Sequence, residues 1–436
     1  MLSEPSDIEA VADTRSFGPV RPQERVPLLD VLRGFAILGI LFVNNDVAGY
    51  HTEILFPSAL DQFGHRLIYV LGSGKLWTLF AILYGVGFAI QLERADARGT
   101  NIIPVYLRRQ FFLALIGCVL LFVIYVGQLL NLAVHGVPML LIGYVLRRRP
   151  PSWLLFAAVA LLAINMSTVI PRDFERDSGL SGSPAVVQED VTSQIEDLRA
   201  DYETVAEQAT SWNLDRFGPQ FRGQLRWYAH FPGYVLQSWK NPNYVIYMLL
   251  GIFLWRIGVL REAARHRSFF VVLLAVTLPV GLVAAIYWDT VWHSWRLAEF
   301  GLGAYPTPLT RLVFSPIGFI STLCMPLAYI AGLALLVQHK VWSRVLSVLV
   351  PVGRMALSNY ALQALLPALV FGVYTPGVSK VTLGVWLTIA VLIPLAGLQV
   401  AISRVWLRSY LFGPLEWLWR SLTYWRLQPM HRTGTA

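Results

Sequence analysis

The chain has 436 residues, of which 56% are apolar or aromatic and only 14% are charged. Its mean hydropathy is +0.54. Such a composition excludes an ordinary soluble protein and predicts an integral membrane protein that contacts the lipid bilayer. The net charge of +9 does not predict nucleic-acid binding, because basic residues in a multi-pass protein flank the cytoplasmic ends of its helices.

A helix needs about 20 apolar residues to cross a bilayer, and the sequence contains about ten such stretches. The first follows a polar segment and has no small-residue cleavage site behind it, so we expect it to remain as the first span. We predict an all-α integral membrane protein with about ten transmembrane helices. The stretches lie near residues 27–49, 65–92, 104–126, 128–147, 152–170, 241–260, 268–288, 309–337, 343–372 and 380–406.

Basic residues cluster in alternate loops: between spans two and three, after span four, after span six and after span eight. All of these loops lie on the same side of the membrane if the N-terminus is cytoplasmic, which is the side that basic loops prefer. Ten spans return the C-terminus to that side. The sequence therefore predicts a multi-pass protein with both termini in the cytoplasm.

Two polar regions complete the predicted organisation. Apolar residues recur at spacings of three and four between residues 187 and 209, which indicates an amphipathic helix. We interpret this segment as part of an extracytoplasmic helical cap, and a solvated tether is the alternative. Near the C-terminus, tryptophans alternate with arginines, which is typical of a helix lying in the cytoplasmic interface. The predicted units are a tail (1–26), a first bundle of about five helices (27–170), the cap (171–240), a second bundle (241–406) and an amphipathic tail (407–436).

The first span carries polar residues at both ends. Asp30 and Arg33 are three residues apart and can pair on a helix. Asn44 projects about 20° from Arg33 and about 40° from Asp30, so all three share one face. This pattern predicts a polar stripe through the bundle. The alternative is an interfacial ion pair with Arg33 reaching the headgroups, while Asn44 ends the helix.

Other spans also contain polar side chains, which are candidates for function because burying an unpaired charge in a membrane is costly. Lys75 lies in the second span, where Gly85 and Gly87 are expected to let another backbone approach closely, and Arg354 lies in the ninth. Asn359 and Gln363 share a face of the ninth span, either as interhelical contacts or as ligands. Arg354 has the alternative of anchoring the cytoplasmic end. His135 is the embedded histidine, and such a residue is more often structural than catalytic. We find no metal-ligand spacing and no HExxH, GxSxG, Walker A or GxGxxG motif.

Four ordered stretches resemble one bacterial family. They are LLDVLRGFAILGILFVN (28–44), GKLWTLFAILYGVGFAIQLER (74–94), GRMALSNYALQALL (353–366) and GPLEWLWRSLTY (413–424). Together they are similar to the signatures of the YeiB family of inner-membrane proteins, a domain of unknown function. The resemblance implies a location in the bacterial cytoplasmic membrane. Family members carry a histidine and a GDIL-type motif after the third span. Here Gln128 replaces the acid and the histidine is missing, which implies that any chemistry depending on them is altered or lost.

The resemblance places the family beside transmembrane acyltransferases, which move an acyl group from a cytoplasmic acyl-CoA donor to an acceptor across the membrane. It implies that Arg33, Lys75 and Arg354 bind the donor. Asn44, Asn359 and Gln363 are assigned to the substrate, and Asp30 and His135 are the candidate catalytic residues. The expected acceptor is a small molecule, a glycan or a lipid, and no metal is expected. A small-molecule transporter and a non-catalytic scaffold remain as alternatives.

Overall fold

The computed structural model describes residues 26–45, 58–124, 128–175, 242–299, 306–371 and 380–432. The predicted cap lies outside the described residues from residue 176 onward, so the cap remains a prediction. Every regular element in the described part is a helix, and the predicted all-α membrane fold is confirmed. The helices are α1 (Pro27–Asn44), α2 (Ala59–Leu71), α3 (Lys75–Ala97), α4 (Ile103–Ile124), α5 (Gln128–Val145), α6 (Ser152–Glu175), α7 (Asn243–Arg256), α8 (Arg267–Glu299), α9 (Pro308–Val337), α10 (Lys340–Leu346), α11 (Leu349–Arg354), α12 (Ala356–Phe371), α13 (Lys380–Ser409) and α14 (Pro414–Tyr424).

Eight helical segments in the described part are long and apolar enough to cross a bilayer, with α2 and α3 counted as one. The other two predicted spans differ from simple spanning helices. Helix α7 has only 14 residues, and the ninth stretch is divided into α10, α11 and α12. Pro351 explains the first of these breaks, because a proline has no N–H to donate to the carbonyl of Ser347 and its ring collides with that carbonyl.

Two helix pairs pack backbone to backbone at glycines. A Cβ atom on Gly34 of α1 would collide with the carbonyl of Leu349, and one on Gly353 of α11 would collide with the carbonyl of Asp30. Helices α3 and α7 meet in the same way, through Gly85 and a second glycine, Gly251. The close approach predicted at Gly85 is therefore confirmed, whereas Gly87 lines a cavity. Helices of both predicted bundles thus share one core.

The surface and the two ends of the bundle have different compositions. Large apolar side chains are exposed along α6, α8 and α13, as expected for helices that contact lipid. At one end, Arg94 near the end of α3 and Arg354 at the end of α11 both lie beside α14. We call this the arginine-rich end, and the end where α3 begins is the opposite end. The predicted amphipathic tail forms a helix, and α14 packs against α4 and α12.

Candidate functional site: an arginine-lined cavity

A cavity of about 240 Å³ opens at the arginine-rich end of the bundle. Its volume is close to the lower limit of typical small-molecule sites. Side chains from α1, α3, α4, α5, α11, α12 and α14 form its wall, so segments from both ends of the sequence meet there. The ionisable acids, bases and amide of the wall are Asp30, Arg33, Gln91, Arg94, Arg109, Arg354, Glu416 and Arg420.

Helix α3 sets the length of the cavity and its polarity. It contributes one face over five turns, and the rise from Trp77 to Arg94 is about 25 Å. The polar residues Gln91 and Arg94 lie at one end of this face, and Trp77 and Phe80 lie at the other. The cavity therefore has a cationic mouth and an apolar, aromatic interior. The contributing residues of α3 are Trp77, Phe80, Leu83, Tyr84, Gly87, Ile90, Gln91 and Arg94.

The mouth is strongly cationic. Five arginines and two carboxylates line it, which gives a formal charge of +3. Arg33 donates to Asp30 at 3.2 Å, as the sequence spacing predicts. Arg354 donates to the carbonyl of Leu411 at 3.3 Å, which links α11 to the segment before α14. Arginine fits phosphate and carboxylate groups in two-pronged contacts, so the mouth is suited to an anionic ligand.

Aromatic rings support two of these arginines. The Arg109 guanidinium lies 4.2 Å from the centroid of the Trp419 ring, and the indole N–H of Trp419 donates to the Arg109 carbonyl at 3.0 Å. The Arg420 guanidinium lies 4.6 Å from the Phe412 ring centroid. Cation–π contacts hold such side chains without neutralising their charge. Helix α14 and the residues just before it therefore shape the mouth.

Glu416 of α14 holds the N-terminus of α12. Its carboxylate accepts hydrogen bonds from the backbone N–H of Leu357 at 2.6 Å and of Ser358 at 3.0 Å, and from the Ser358 hydroxyl at 2.5 Å. A negative charge is favoured there because helix N-termini carry unpaired N–H groups and a positive partial charge. Burial raises the pKa of Glu416 above its ordinary value, and the hydrogen bonds oppose that shift.

Of the predicted site residues, the cavity brings together Asp30, Arg33 and Arg354. The sequence indicates Arg94 and Arg109 only as basic loop residues, and it favours a membrane anchor for the segment containing Glu416 and Arg420. The alternation of tryptophan and arginine in the GPLEWLWR motif is the sequence signal that could have identified this segment as part of the site. The GRMALSNYALQ and GPLEWLWR motifs meet through Glu416 and Ser358, so their joint occurrence has a physical cause.

The amide residues lie elsewhere. Asn44 is exposed at the last turn of α1. Asn359 is buried, donates to Ser403 Oγ at 2.9 Å, and accepts a hydrogen bond from Gln399 on its carbonyl at 2.7 Å. These contacts with α13 favour the interhelical alternative for Asn359. Gln363 is buried with neither amide atom hydrogen-bonded to a described residue. A substrate role for each of the three remains a prediction.

His135 and Lys75 also lie outside the cavity wall. His135 donates through Nδ1 to the Asn131 carbonyl at 2.7 Å and packs on Tyr244. Lys75 begins α3, about 28 Å of helix rise from Arg94, so the structure does not bring it to Arg33. Among the described residues there is no group of three histidine, cysteine or acidic side chains that could hold a metal ion.

Comparisons with known proteins give relatives without an assigned activity. Residues 254–426 match a family described as "Protein of unknown function (DUF418)". The chain is 28% identical to the uncharacterized protein YxaH of Bacillus subtilis (strain 168), over 95% of this chain and 98% of that protein. It is also 28% identical to the uncharacterized protein YeiB of Escherichia coli (strain K12), over 92% of this chain and 96% of that protein. No solved structure matches the chain significantly.

Proposed function

We propose, from the confirmed resemblance of this membrane protein to the YeiB family, that it is an acyltransferase that takes an acyl-CoA donor from the cytoplasm. The acceptor would be extracytoplasmic or embedded in the lipid. One observation carries the proposal: a cavity with five arginines at its mouth and an apolar, aromatic interior. The arginine-rich end is the cytoplasmic end in this proposal, in agreement with the preference of basic residues for that side.

An acyl-CoA matches this polarity. Its phosphates would lie against the guanidinium groups at the mouth, and its acyl group would extend along α3 towards Trp77. Charge-assisted contacts between arginine and phosphate are among the stronger hydrogen bonds in proteins. The volume of about 240 Å³ suits the acyl-bearing part of the donor, with the nucleotide remaining at the mouth.

The residues of the mouth have separate roles in this proposal. Arg33 and Arg354 bind phosphate, and Asp30 orients Arg33 through their hydrogen bond. Arg109 and Arg420 are held by aromatic rings and keep their charge available. Glu416 is a positioning residue, because it fixes the N-terminus of α12 next to Arg354.

The test is binding of radiolabelled acetyl-CoA and palmitoyl-CoA to the purified protein. Losing a charged hydrogen bond costs about 1.5–3 kcal/mol, so we expect Arg354→Gln to weaken binding about 10- to 100-fold. Arg148→Gln is the matched control, since Arg148 is exposed near the same end and does not line the cavity. Equal binding by both variants, or no binding by the unmodified protein, would overturn the proposal.

Transport of an anionic amphiphile is a second candidate. It is favoured because both acids in the cavity wall are already engaged in other contacts and are therefore poorly placed to act as a catalytic base. Asp30 is paired with Arg33, and Glu416 is bonded to the N-terminus of α12. Among the described residues, no histidine or cysteine lines the cavity. In proteoliposomes, arginine-dependent movement of an anionic lipid without release of CoA from acyl-CoA would select transport over acyl transfer.

A further inference from the structure

A second polar cluster lies on a different face of α3, near the opposite end of the bundle. Its centre is Lys75 and Asp289; Arg66 and His65 act on Asp289 electrostatically, and His293 lies one turn after it on α8. We call these five residues the Lys75–Asp289 cluster. Asp289 lies about 33 Å of helix rise beyond Arg267, the first residue of α8. Helices α2, α3 and α8 supply the cluster, and the arginine-lined cavity does not include any of its members.

Lys75 is fully buried at the point where the helix is interrupted between α2 and α3. Its ammonium donates to the carbonyl of Tyr69 at 2.9 Å, in the last turn of α2. The rings of Tyr69 and Trp288 lie 5.5 and 5.9 Å from Nζ. A cation at the C-terminal end of a helix is favoured by the helix dipole. The position of Lys75 is therefore explained by α2 itself.

Asp289 has no comparable explanation. Only 7% of the surface of Asp289 is exposed. Its carboxylate accepts no hydrogen bond from any residue in the described ranges. It also has no cationic atom within 4.0 Å there, although Arg66, His65 and Lys75 are close enough to act on it electrostatically. A buried carboxylate normally pairs or takes up a proton. Among the helices that the structure describes, Asp289 is thus a buried acid without a direct partner.

The surroundings of Asp289 restrict its ligand. Its neighbour Trp288 stacks on Tyr69 with ring centroids 5.6 Å apart, and also packs on Trp292 and Phe314. Helix α9 presses Gly318 against Trp288, where a Cβ atom would come within 2.6 Å of the indole nitrogen. The nearest basic residue of α9 along the chain is Arg311, one turn beyond Phe314. This packing leaves little room for an organic ligand, and no three histidine, cysteine or acidic side chains of the described residues come together closely enough to hold a metal ion.

We propose that the Lys75–Asp289 cluster is a proton-binding site, in which Asp289 takes up a proton that His65 and His293 pass from the adjacent aqueous side. Chains of carboxyl and imidazole groups within membrane spans typically act as proton relays. His293 lies one turn after Asp289 on α8, and His65 comes from α2. The proton transfers from an imidazolium to the carboxylate, and no other bond changes.

Proton uptake removes the negative charge that Asp289 of α8 carries next to α2 and α3. With Asp289 ionised, its charge offsets one of the two positive charges of Lys75 and Arg66, and α8 is attracted towards α2 and the start of α3. With Asp289 protonated, that attraction is lost. The cluster thereby gives the bundle a response to pH on one side of the membrane. The inference does not depend on acyl transfer and holds equally for the transport alternative.

Infrared difference spectroscopy of the full-length protein in liposomes tests the proposal. Acidification from about pH 8 to about pH 5, the range in which imidazoles titrate, should produce a C=O stretching band from a protonated carboxyl. We expect Asp289→Asn to remove one component of this band; the remaining component is that of Glu416, whose pKa is also raised by burial. The control is Asp61→Asn, because Asp61 is a carboxylate of α2 that already accepts the Val385 N–H at 3.0 Å; this variant should keep the band.

Asp289→Glu is the control for misfolding. It retains a carboxyl and should shift the band rather than remove it. A band that persists unchanged in Asp289→Asn would overturn the proposal, and so would the absence of any band in the unmodified protein. Acyl-CoA binding does not enter this measurement, so its outcome is independent of the proposed function.

Discussion

The two polar regions of this bundle handle charge in opposite ways. The cavity at the arginine-rich end has a formal charge of +3, and its arginines contact aromatic rings, backbone carbonyls and one carboxylate. The Lys75–Asp289 cluster has one buried cation beside one buried acid in tight aromatic packing. An excess of charge is tolerated near the end of a membrane helix, where water and headgroups reach it. Deeper in the bundle, charges must balance. The first region therefore suits a large anion, and the second suits a proton.

The largest expected effect is a loss of acyl-CoA binding that leaves the Lys75–Asp289 cluster unchanged. We expect the double variant Arg33→Gln/Arg354→Gln to lose measurable acyl-CoA binding, because two phosphate contacts disappear together and each costs about 1.5–3 kcal/mol. The same variant should keep the infrared band of Asp289. Loss of both acyl-CoA binding and the infrared band would show that the two regions are not separate sites.

A large effect on stability is expected at the junction of the two motifs. Glu416→Ala leaves the N–H groups of Leu357 and Ser358 without their acceptor, and we expect it to lower the free energy of unfolding by about 1–3 kcal/mol. Glu416→Gln keeps one acceptor oxygen and should recover part of the loss. Denaturation in detergent followed by tryptophan fluorescence measures both variants. Equal stability of Glu416→Ala and the unmodified protein would contradict the assigned capping role.

The raised pKa of Glu416 gives a pH dependence with a defined sign. The folded state holds the proton to a higher pH than the unfolded state, whose ordinary value is 4.5. The stability that this proton provides is complete below that value and is lost as the pH rises through the folded-state pKa. We therefore expect the unmodified protein to lose stability relative to Glu416→Gln as the pH increases above 4.5. A difference that does not vary with pH would contradict this prediction.

A smaller effect concerns the inner end of the cavity. Trp77 packs edge to face on Tyr360, with ring centroids 5.4 Å apart, and both residues line the wall. Trp77→Ala should open space beyond the aromatic pair and shift preference towards longer acyl chains by about tenfold, or about 1.4 kcal/mol. Competition between acyl-CoA esters of different lengths measures the shift. Trp153→Ala is the control, since Trp153 is exposed on α6. A length profile common to both variants would show that Trp77 does not limit the chain.

The smallest effects are expected at the asparagines. Asn44 is exposed, so Asn44→Ala should change stability by no more than about 0.5 kcal/mol and leave acyl-CoA binding unchanged. Asn359→Ala should lower stability by about 1–3 kcal/mol through its lost contacts with α13, again without changing affinity. A loss of affinity in either variant would restore the substrate role suggested by the sequence.

The sequence was sufficient for eight of the ten predicted spans in the described part of the chain, because hydropathy and length constrain any helix in lipid. It also identified the Asp30–Arg33 pair, which depends only on local spacing, and the close contact at Gly85. The cavity role of Arg94 and Arg109 could not be predicted from the sequence, because a basic residue that flanks a span and one that lines a cavity have the same sequence pattern. Their difference depends on where α14 packs.

Lys75 and Asn44 illustrate a second limit. Angular projection placed Asn44 on the face of Arg33, but projection ignores height along the helix, and Asn44 lies where α1 leaves the bundle. Lys75 was grouped with Arg33 as a charge within a span. Its actual height is set by the break at residues 72–74, where Gly74 has a φ of 74° that favours glycine. Position along the membrane normal requires the tertiary structure.

Photocrosslinking with a diazirine-bearing acyl-CoA, followed by peptide mapping, locates the acyl chain in the bundle. If the arginine-lined cavity binds the donor, we expect labels on α3 between Trp77 and Tyr84 and on α5 at Leu129 and Leu132, and excess CoA should remove them. Labels confined to the lipid-facing side chains of α6 and α8, and unchanged by excess CoA, would show that the cavity does not hold the acyl chain.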